Sequence, residues 1–283
     1  MLNRKSILTT LAITASLLLS QVSSAGVPLN NLEGVGGIAF NPLAYPSGQN
    51  KDDSKTTSSD KFSIDKIFSK PQFGVWYVNL GDVDIDWTAI GASETLFDRL
   101  EVSYGHEIVS PNGKNIKKDN FGAKLNLIKE NQWDNHFIPA VSVGAILKHT
   151  DNVSPTLDSQ GLDYYLVATK LITEAPKPIL ISGGLLSTDG HATGVLGYDK
   201  DRDITVFGNI DVIPFSKVAV GLEYKQGAKF DDYKDADYWQ AHVAYFANKN
   251  LTLVGAYVNA GDEKSTNKVG LGDGFVLSAQ YAF

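Results

Sequence analysis

The fold class this sequence predicts is all-β: a closed, up-and-down antiparallel barrel that crosses a membrane with about twelve strands. Three observations carry that expectation. The chain opens on an export signal, yet no later stretch is long and apolar enough for a spanning helix. From Pro71 onward it reads as short segments whose side chains alternate between apolar and polar. The connectors between those segments alternate in length, as barrel turns and outer loops do.

The export signal comes first. Arg4 and Lys5 form a basic start, Ile7 to Leu19 an apolar run, and Ser23-Ser24-Ala25 a small-residue cleavage site before Gly26. Residues 1–25 are therefore expected to be removed. The apolar run is too short, and too interrupted by Thr and Ser, to span a bilayer. No Cys follows the cleavage point, which excludes a lipoprotein signal, and the absence of Cys from the whole chain means that disulfides do not hold the fold. A hydrophobic fraction of 43% suits a barrel with a lipid-facing exterior and a polar lumen. The net charge of −7 argues against a nucleic-acid partner.

Residues 26–70 form a region of their own. Val27 to Pro46 is apolar and rich in Gly and Pro, and Ser47 to Asp60 is a polar stretch that reads as a flexible linker. The apolar part could be a first strand, a plug inside the lumen or a periplasmic docking peptide. Pro28, Pro42 and Pro46 fit a hydrogen-bonded ladder poorly, which favours an inserted or docked segment.

Residues 71–283 carry the barrel pattern. In the first clear segment Val83, Ile85, Trp87 and Ala89 oppose Asp82, Asp84, Asp86 and Thr88. Leu100, Val102 and Tyr104 oppose Arg99, Glu101 and Ser103, and Phe121, Ala123, Leu125 and Leu127 oppose Lys124 and Asn126. Ile204, Val206, Ile210 and Val212 oppose Thr205, Asn209 and Asp211. Val218, Val220, Leu222 and Tyr224 oppose Glu223 and Lys225, and Trp239, Ala241, Val243 and Tyr245 oppose Gln240 and His242. Segments near 138–148, 162–172, 179–188 and 251–260 are apolar on both faces, so they establish strands but not facing.

Counted back from Phe283, the connectors run long at 261–273, short at 247–250, long at 226–237, short at 214–216, long at 189–202, short at 174–178 and long at 149–160. Short periplasmic turns and longer outer loops, with both termini inside, produce that rhythm, and a β-sandwich has no reason to. The closing strand puts Phe275, Leu277, Tyr281 and Phe283 on one face and small or polar residues on the other. An aromatic carboxy terminus of this pattern resembles the strand that the barrel-assembly machinery reads in outer-membrane barrels. Trp87, Tyr104, Tyr224, Trp239, Tyr245, Tyr257, Tyr281 and Phe283 also suit interfacial girdles.

Two stretches resemble a family of Gram-negative outer-membrane barrel proteins catalogued as a domain of unknown function. They are Val27 to Tyr45 (VPLNNLEGVGGIAFNPLAY) and the tail from Val220, including Ala236 to His242 (ADYWQAH) and Gly255 to Asp262 (GAYVNAGD). The resemblance implies a barrel in the bacterial outer membrane, in contact with lipid and lipopolysaccharide. It implies no substrate, no cofactor and no catalytic residue.

No reaction is legible in the residues. The histidines His106, His136, His149, His191 and His242 have no Ser partner at a recognisable spacing, and no Gly-x-Ser-x-Gly elbow is present. Asp82, Asp84 and Asp86, and the acidic loop Asp231, Asp232, Asp235 and Asp237, lack the fixed Gly and closing Glu of a calcium loop. The expectation is no enzyme, no metal and no cofactor. What remains is the polar face: Asp84, Asp86, Arg99, Glu101, Lys124, Asn126, Asn209, Asp211, Glu223, Lys225, Gln240 and His242 are expected to line the lumen. Charges of both signs pointing inward must be wet or paired. A narrow channel for passive or substrate-selective diffusion of an unknown small solute is the first reading. A closed structural or surface-interaction barrel, its lumen filled by pairs such as Arg99/Glu101 and Glu223/Lys225, is the alternative, and an outer-membrane lipid hydrolase comes third.

Overall fold

A computed structural model of the chain describes residues 29–48, 67–81, 84–231, 233–261 and 270–283. The expected signal segment, residues 49–66 of the linker, and Asp82, Val83 and Asp232 lie outside the described residues.

Among the described residues the strands in chain order are β1 (Gln72–Leu80), β2 (Ile85–Leu96), β3 (Leu100–Pro111), β4 (Ile116–Ile128), β5 (Ala140–Thr150), β6 (Gln160–Ile172) and β7 (Ile179–His191). They continue with β8 (Gly197–Phe215), β9 (Val218–Lys225), the short pair β10 (Lys229–Phe230) and β11 (Tyr233–Lys234), then β12 (Tyr238–Phe246), β13 (Leu251–Asn259) and β14 (Asp273–Ala282). Twelve of these close into one barrel in the order β1-β14-β13-β12-β9-β8-β7-β6-β5-β4-β3-β2, and β10 with β11 is a separate hairpin in the loop after β9. Each wall strand pairs antiparallel with its sequence neighbour, and β1 closes on β14 with Gln72 opposite Ala282 and Leu80 opposite Gly274. Closure leaves no unpaired edge, the condition for a sheet to survive in lipid.

Alternation then decides what each face meets. Outward residues include Phe73, Val75, Ile90, Leu125, Leu147, Leu166, Leu185, Val206, Leu222, Val243, Leu253 and Leu277, all exposed. A belt of that composition is stable only against hydrocarbon, so the barrel is a transmembrane one of the outer-membrane kind. Aromatics gather near both ends of the wall. Phe73 and Phe283 meet edge-to-face at 5.6 Å near one rim, and Trp239 and Tyr257 lie 5.5 Å apart near the other. At that second rim Tyr77 donates its hydroxyl to Asp86 and Tyr224 to Asp237, which keeps the polar tip of each ring satisfied. The closing-strand residues Phe275, Leu277, Tyr281 and Phe283 all face outward.

The connector rhythm holds in full only after β8. Between β4 and β5 the short-turn side carries residues 129–139, with a 3₁₀ turn at Gln132–Asp134, whereas the opposite side has compact connections at 81–84 and 112–115. The long stretch expected at 189–202 is mostly ladder, because β7 and β8 continue past a bulge at Thr188/Gly190 and leave only residues 192–196 as loop. His149, next to last in β5, and His191, last in β7, lie in strands instead of loops.

Residues 29–48 lie inside the barrel. They touch inward groups of β2, β3, β4, β6, β9 and β14, a set of strands that surrounds the lumen and that no outside position could reach together. The segment folds on itself through Asn31 N–H to Val35 O (2.8 Å), Leu32 N–H to Ala39 O (3.0 Å) and Leu43 N–H to Gly36 O (3.1 Å). Gly34, at φ +84°, rests on a patch of wall with no side chains: Gly91 and Gly105 face each other across β2 and β3, and a Cβ on Gly91 would sit 2.7 Å from the Gly34 Cα. Glycine is required on both sides of that approach.

Candidate functional site

The interior is where the chemistry-bearing residues converge, and it is built differently on its two sides. Strands β3 to β6 present a polar wall that grips the inner segment. Glu101 accepts from Gly36 N–H at 2.9 Å and Ser47 N–H at 2.7 Å, and pairs with Lys124 at 2.8 Å. Lys124 in turn donates to Gly36 O at 2.9 Å. Ala44 is held through its N–H on Thr169 Oγ1 (2.8 Å) and through its carbonyl by Ser142 Oγ (2.6 Å) and Asn126 Nδ2 (3.1 Å).

Nearer the rim formed by residue 84 and residues 112–115, Glu33 of the inner segment enters a cluster of charges. Lys118 reaches it at 2.9 Å and also pairs with Glu107 at 3.0 Å, and Lys148 bridges Glu33 and Asp163. All five side chains are buried. Burial alone would raise the Glu33 carboxyl, but Lys118, Lys148 and Lys225 outweigh it and hold the group well below the usual carboxylate range. Buried ions are tolerable here because each has a partner of opposite charge.

The other side, formed by β1, β2, β9 and β12 to β14, is mostly apolar. Trp76, Val78, Leu80, Trp87, Ala89, Val258 and Val276 form one buried cluster with Leu32 and Ala39 of the inner segment. A second contains Leu171, Leu180, Ala219, Ala244 and Val254 with Leu29, Ile38 and Leu43. Two cavities follow the same wall. One, about 550 Å³ of empty space counting its opening, lies towards the rim of residues 260 and 271 and is lined by Phe40, Leu80, Trp87, Leu271 and Lys225 among others. The second, about 580 Å³ on the same basis, lies towards the other end, against Ile38, Trp76, Leu180, Val254 and His242.

Between the cavities stands the turn at residues 38–41, closed by Ile38 N–H to Asn41 O at 3.0 Å. Three consecutive backbone N–H groups of that turn converge on one carboxylate. Ala39, Phe40 and Asn41 donate to Glu223 at 3.2, 3.1 and 2.8 Å, and Gln240 Nε2 adds a fourth donor at 2.6 Å. A carboxylate with four donors and, among the described residues, no cation within ion-pair distance forms a charge-assisted clamp on the turn. Beside it His242 Nε2 lies 2.7 Å from Asp211 Oδ1, whose other oxygen accepts from Asn209.

Of the residues read from sequence as lumen-lining, Glu101, Lys124, Asn126, Asn209, Asp211, Glu223, Lys225, Gln240 and His242 are buried on the inward face. Three are elsewhere. Asp84 lies in the turn before β2 at φ +53°, and Asp86 faces outward at the rim, bonded by Tyr77 and Asn79. The face of β2 is therefore the reverse of the one expected: Val78 of β1 pairs with Trp87, so Ile85, Trp87 and Ala89 turn inward to complete the apolar cluster. Trp87 accordingly leaves the expected girdle. Arg99 is in the tight turn before β3, where its guanidinium donates to the carbonyls of Asn126 and Leu127. Neither expected pair forms: Glu101 is joined to Lys124 instead of Arg99, and Glu223 to backbone N–H groups instead of Lys225.

The residues that sequence reasoning missed are Glu33, Glu107, Lys118, Lys148 and Asp163, together with Gln72 and Gln280, which flank Asn30. Parity held a signal for two of the charged ones, since Lys118 lies at even spacing from Lys124 and Asn126 on β4 and Glu107 at even spacing from Glu101 on β3. Among the described residues no group of acidic side chains and histidines is arranged to hold a metal ion.

The profile of a family described as "protein of unknown function (DUF3034)" matches residues 26–280. The search of curated proteins found no match. Among solved structures the chain is similar to the KdgM porin, at 15% identity over 75% of this chain and 99% of that one, with a TM-score of 0.49. It is similar to the NanC porin at 12% identity, 75% and 98% coverage and a TM-score of 0.48. Omp33 of Acinetobacter baumannii gives 10% identity, 77% and 98% coverage and a TM-score of 0.45. The family match spans nearly the whole chain after residue 25, and the chain belongs to that family.

Proposed function

We propose that this member of the DUF3034 family is an outer-membrane channel for small solutes, with residues 29–48 as its resident plug and the turn at 38–41 as its gate. One observation carries the reading: the two cavities lie on the same wall, one on each side of that turn, and Glu223 holds the turn across the line between them. The polar wall would serve as the fixed side of the plug and the apolar wall as the side along which a solute passes. The apolar lining narrows the expected cargo from small solutes in general to the less polar among them. Orientation follows the rule that both barrel termini are periplasmic, which puts the 550 Å³ cavity on the outer side. An amino-terminal export signal and recognition of Phe275, Leu277, Tyr281 and Phe283 by the assembly machinery belong to the same proposal.

Solute influx into liposomes carrying the wild type or Glu223→Gln tests it. The amide offers its NH₂ where the turn needs an acceptor, so the variant should admit small solutes about tenfold faster, the equivalent of one charge-assisted bond. Equal rates would contradict the gate. A second reading, a closed barrel whose outer loops bind a partner, is favoured by the density of buried ion pairs around Glu33. It predicts no influx through either protein.

A further inference from the structure

We infer that the outer cavity is a binding site for a small apolar monocarboxylate, an inference that rests on the channel reading for its purpose but not for its chemistry. The cavity wall is carbon over most of its extent: Phe40, Val78, Leu80, Trp87, Val258 and Leu271 surround it. Three charged residues reach it, Glu33, Glu107 and Lys225.

Those charges are not equivalent. Glu33 is engaged by Lys118 and Lys148 and feels the charge of Lys225 at longer range, and Glu107 is engaged through Oε1 by Lys118 and Asn120. Lys225 is 7% exposed and lines the cavity, yet its ammonium forms neither a hydrogen bond nor an ion pair with any described residue. A buried cation without a direct partner is costly, and a ligand anion removes that cost. Among the lining residues two donors are left open, the Lys225 ammonium and the Trp87 Nε1–H, with Glu107 Oε2 an open acceptor nearby. A ligand with an apolar body and one anionic head satisfies the two donors.

The neighbours set the limits. Lys offers a point charge instead of the two-pronged contact of Arg, which suits one carboxylate and not a planar diacid. Glu33 and Glu107 repel any second negative charge, so dicarboxylates and phosphates are disfavoured. The same repulsion weakens the hold on the first, as a transport site requires, since cargo must leave as well as enter.

The test uses the full mature chain, refolded in detergent, with hexanoate as probe and hexanamide and hexylamine as uncharged and cationic matches. Titration calorimetry should give hexanoate the tightest binding, about tenfold over hexanamide. Lys225→Met should abolish that preference while heat-modifiable mobility shows an intact barrel, and Lys225→Arg should retain most of it. Equal affinity for hexanoate and hexanamide, tighter hexylamine binding, or a preference that survives Lys225→Met would overturn the site. Hexanoate influx into liposomes separates the two readings. Lys225-dependent binding without influx keeps the site and removes the channel, whereas influx without Lys225-dependent binding keeps the channel and removes the site.

Discussion

The wall of β3 to β6 and the wall of β1, β9 and β12 to β14 face the same inner segment and hold it with different balances of polar and apolar contact. On the first, an apolar cluster of Ala140, Ile146, Tyr165 and Val167 against Val35 and Ala44 is joined by buried polar side chains that bond backbone groups directly: Glu101 takes Gly36 and Ser47, and Asn126, Ser142 and Thr169 take Ala44. On the second, apolar side chains leave cavities, and the polar grip narrows to Glu223 with Gln240 in the middle and Gln72 and Gln280 near one end. Hydrogen bonds are directional and fix a register, whereas apolar contact tolerates sliding. On the channel proposal, the directional side is the fixed one and the apolar side the one that yields.

The comparison can be broken most directly on the polar wall. Glu101→Ala strands Lys124 and two backbone donors in a buried site, and should lower barrel stability in denaturant by about 3–5 kcal/mol. The matching loss on the apolar wall is milder. Val258→Ala enlarges a space that already exists, so the expected cost is about 1 kcal/mol by the same titration. If the two losses are equal, the walls do not differ in the way described.

Acid gives a smaller and sharper contrast. Burial raises the Glu33 carboxyl, and Lys118, Lys148 and Lys225 lower it by more, so its folded value lies below its unfolded one. A depressed carboxylate contributes its full stability above its unfolded value, and that contribution declines as pH falls from there until it is gone below the folded one. The Glu33 anchor should therefore persist at pH 4, close to the ordinary Glu value of about 4.3. Protease protection of residues 29–48 at pH 4 should match that at pH 7, and early release would contradict the ion cluster. The smallest effect is expected from filling: Ala244→Leu projects into the inner cavity, should change stability by less than about 1.5 kcal/mol, and should slow solute influx.

Strand existence was legible because alternation with period two is imposed by the backbone itself. Facing was legible where the polar face was also the buried one, as for Glu101, Lys124, Asn126, Glu223 and His242. It failed on β2 because alternation separates two faces without saying which is inside. At the rim, Asp86 can face outward on the Tyr77 hydroxyl, and the apolar residues of β2 are needed within. Arg99 misled because a turn residue continues the parity of the strand beside it. The position of residues 29–48 was not legible from propensity. It depends on Gly34 meeting Gly91 and Gly105, and those glycines are some 60 or 70 residues away in the chain. The charge cluster at Glu33 was hidden for the same reason, since its partners lie on β3, β4, β5 and β6.

The central claim is that residues 29–48 obstruct a passage along the apolar wall. Single-channel conductance in planar bilayers, measured on the mature chain and on a form lacking residues 26–70, tests it most directly. Low or intermittent conductance from the first and a steady, larger conductance from the second is the predicted result. Silence from both forms, with heat-modifiable mobility showing intact barrels, would contradict it.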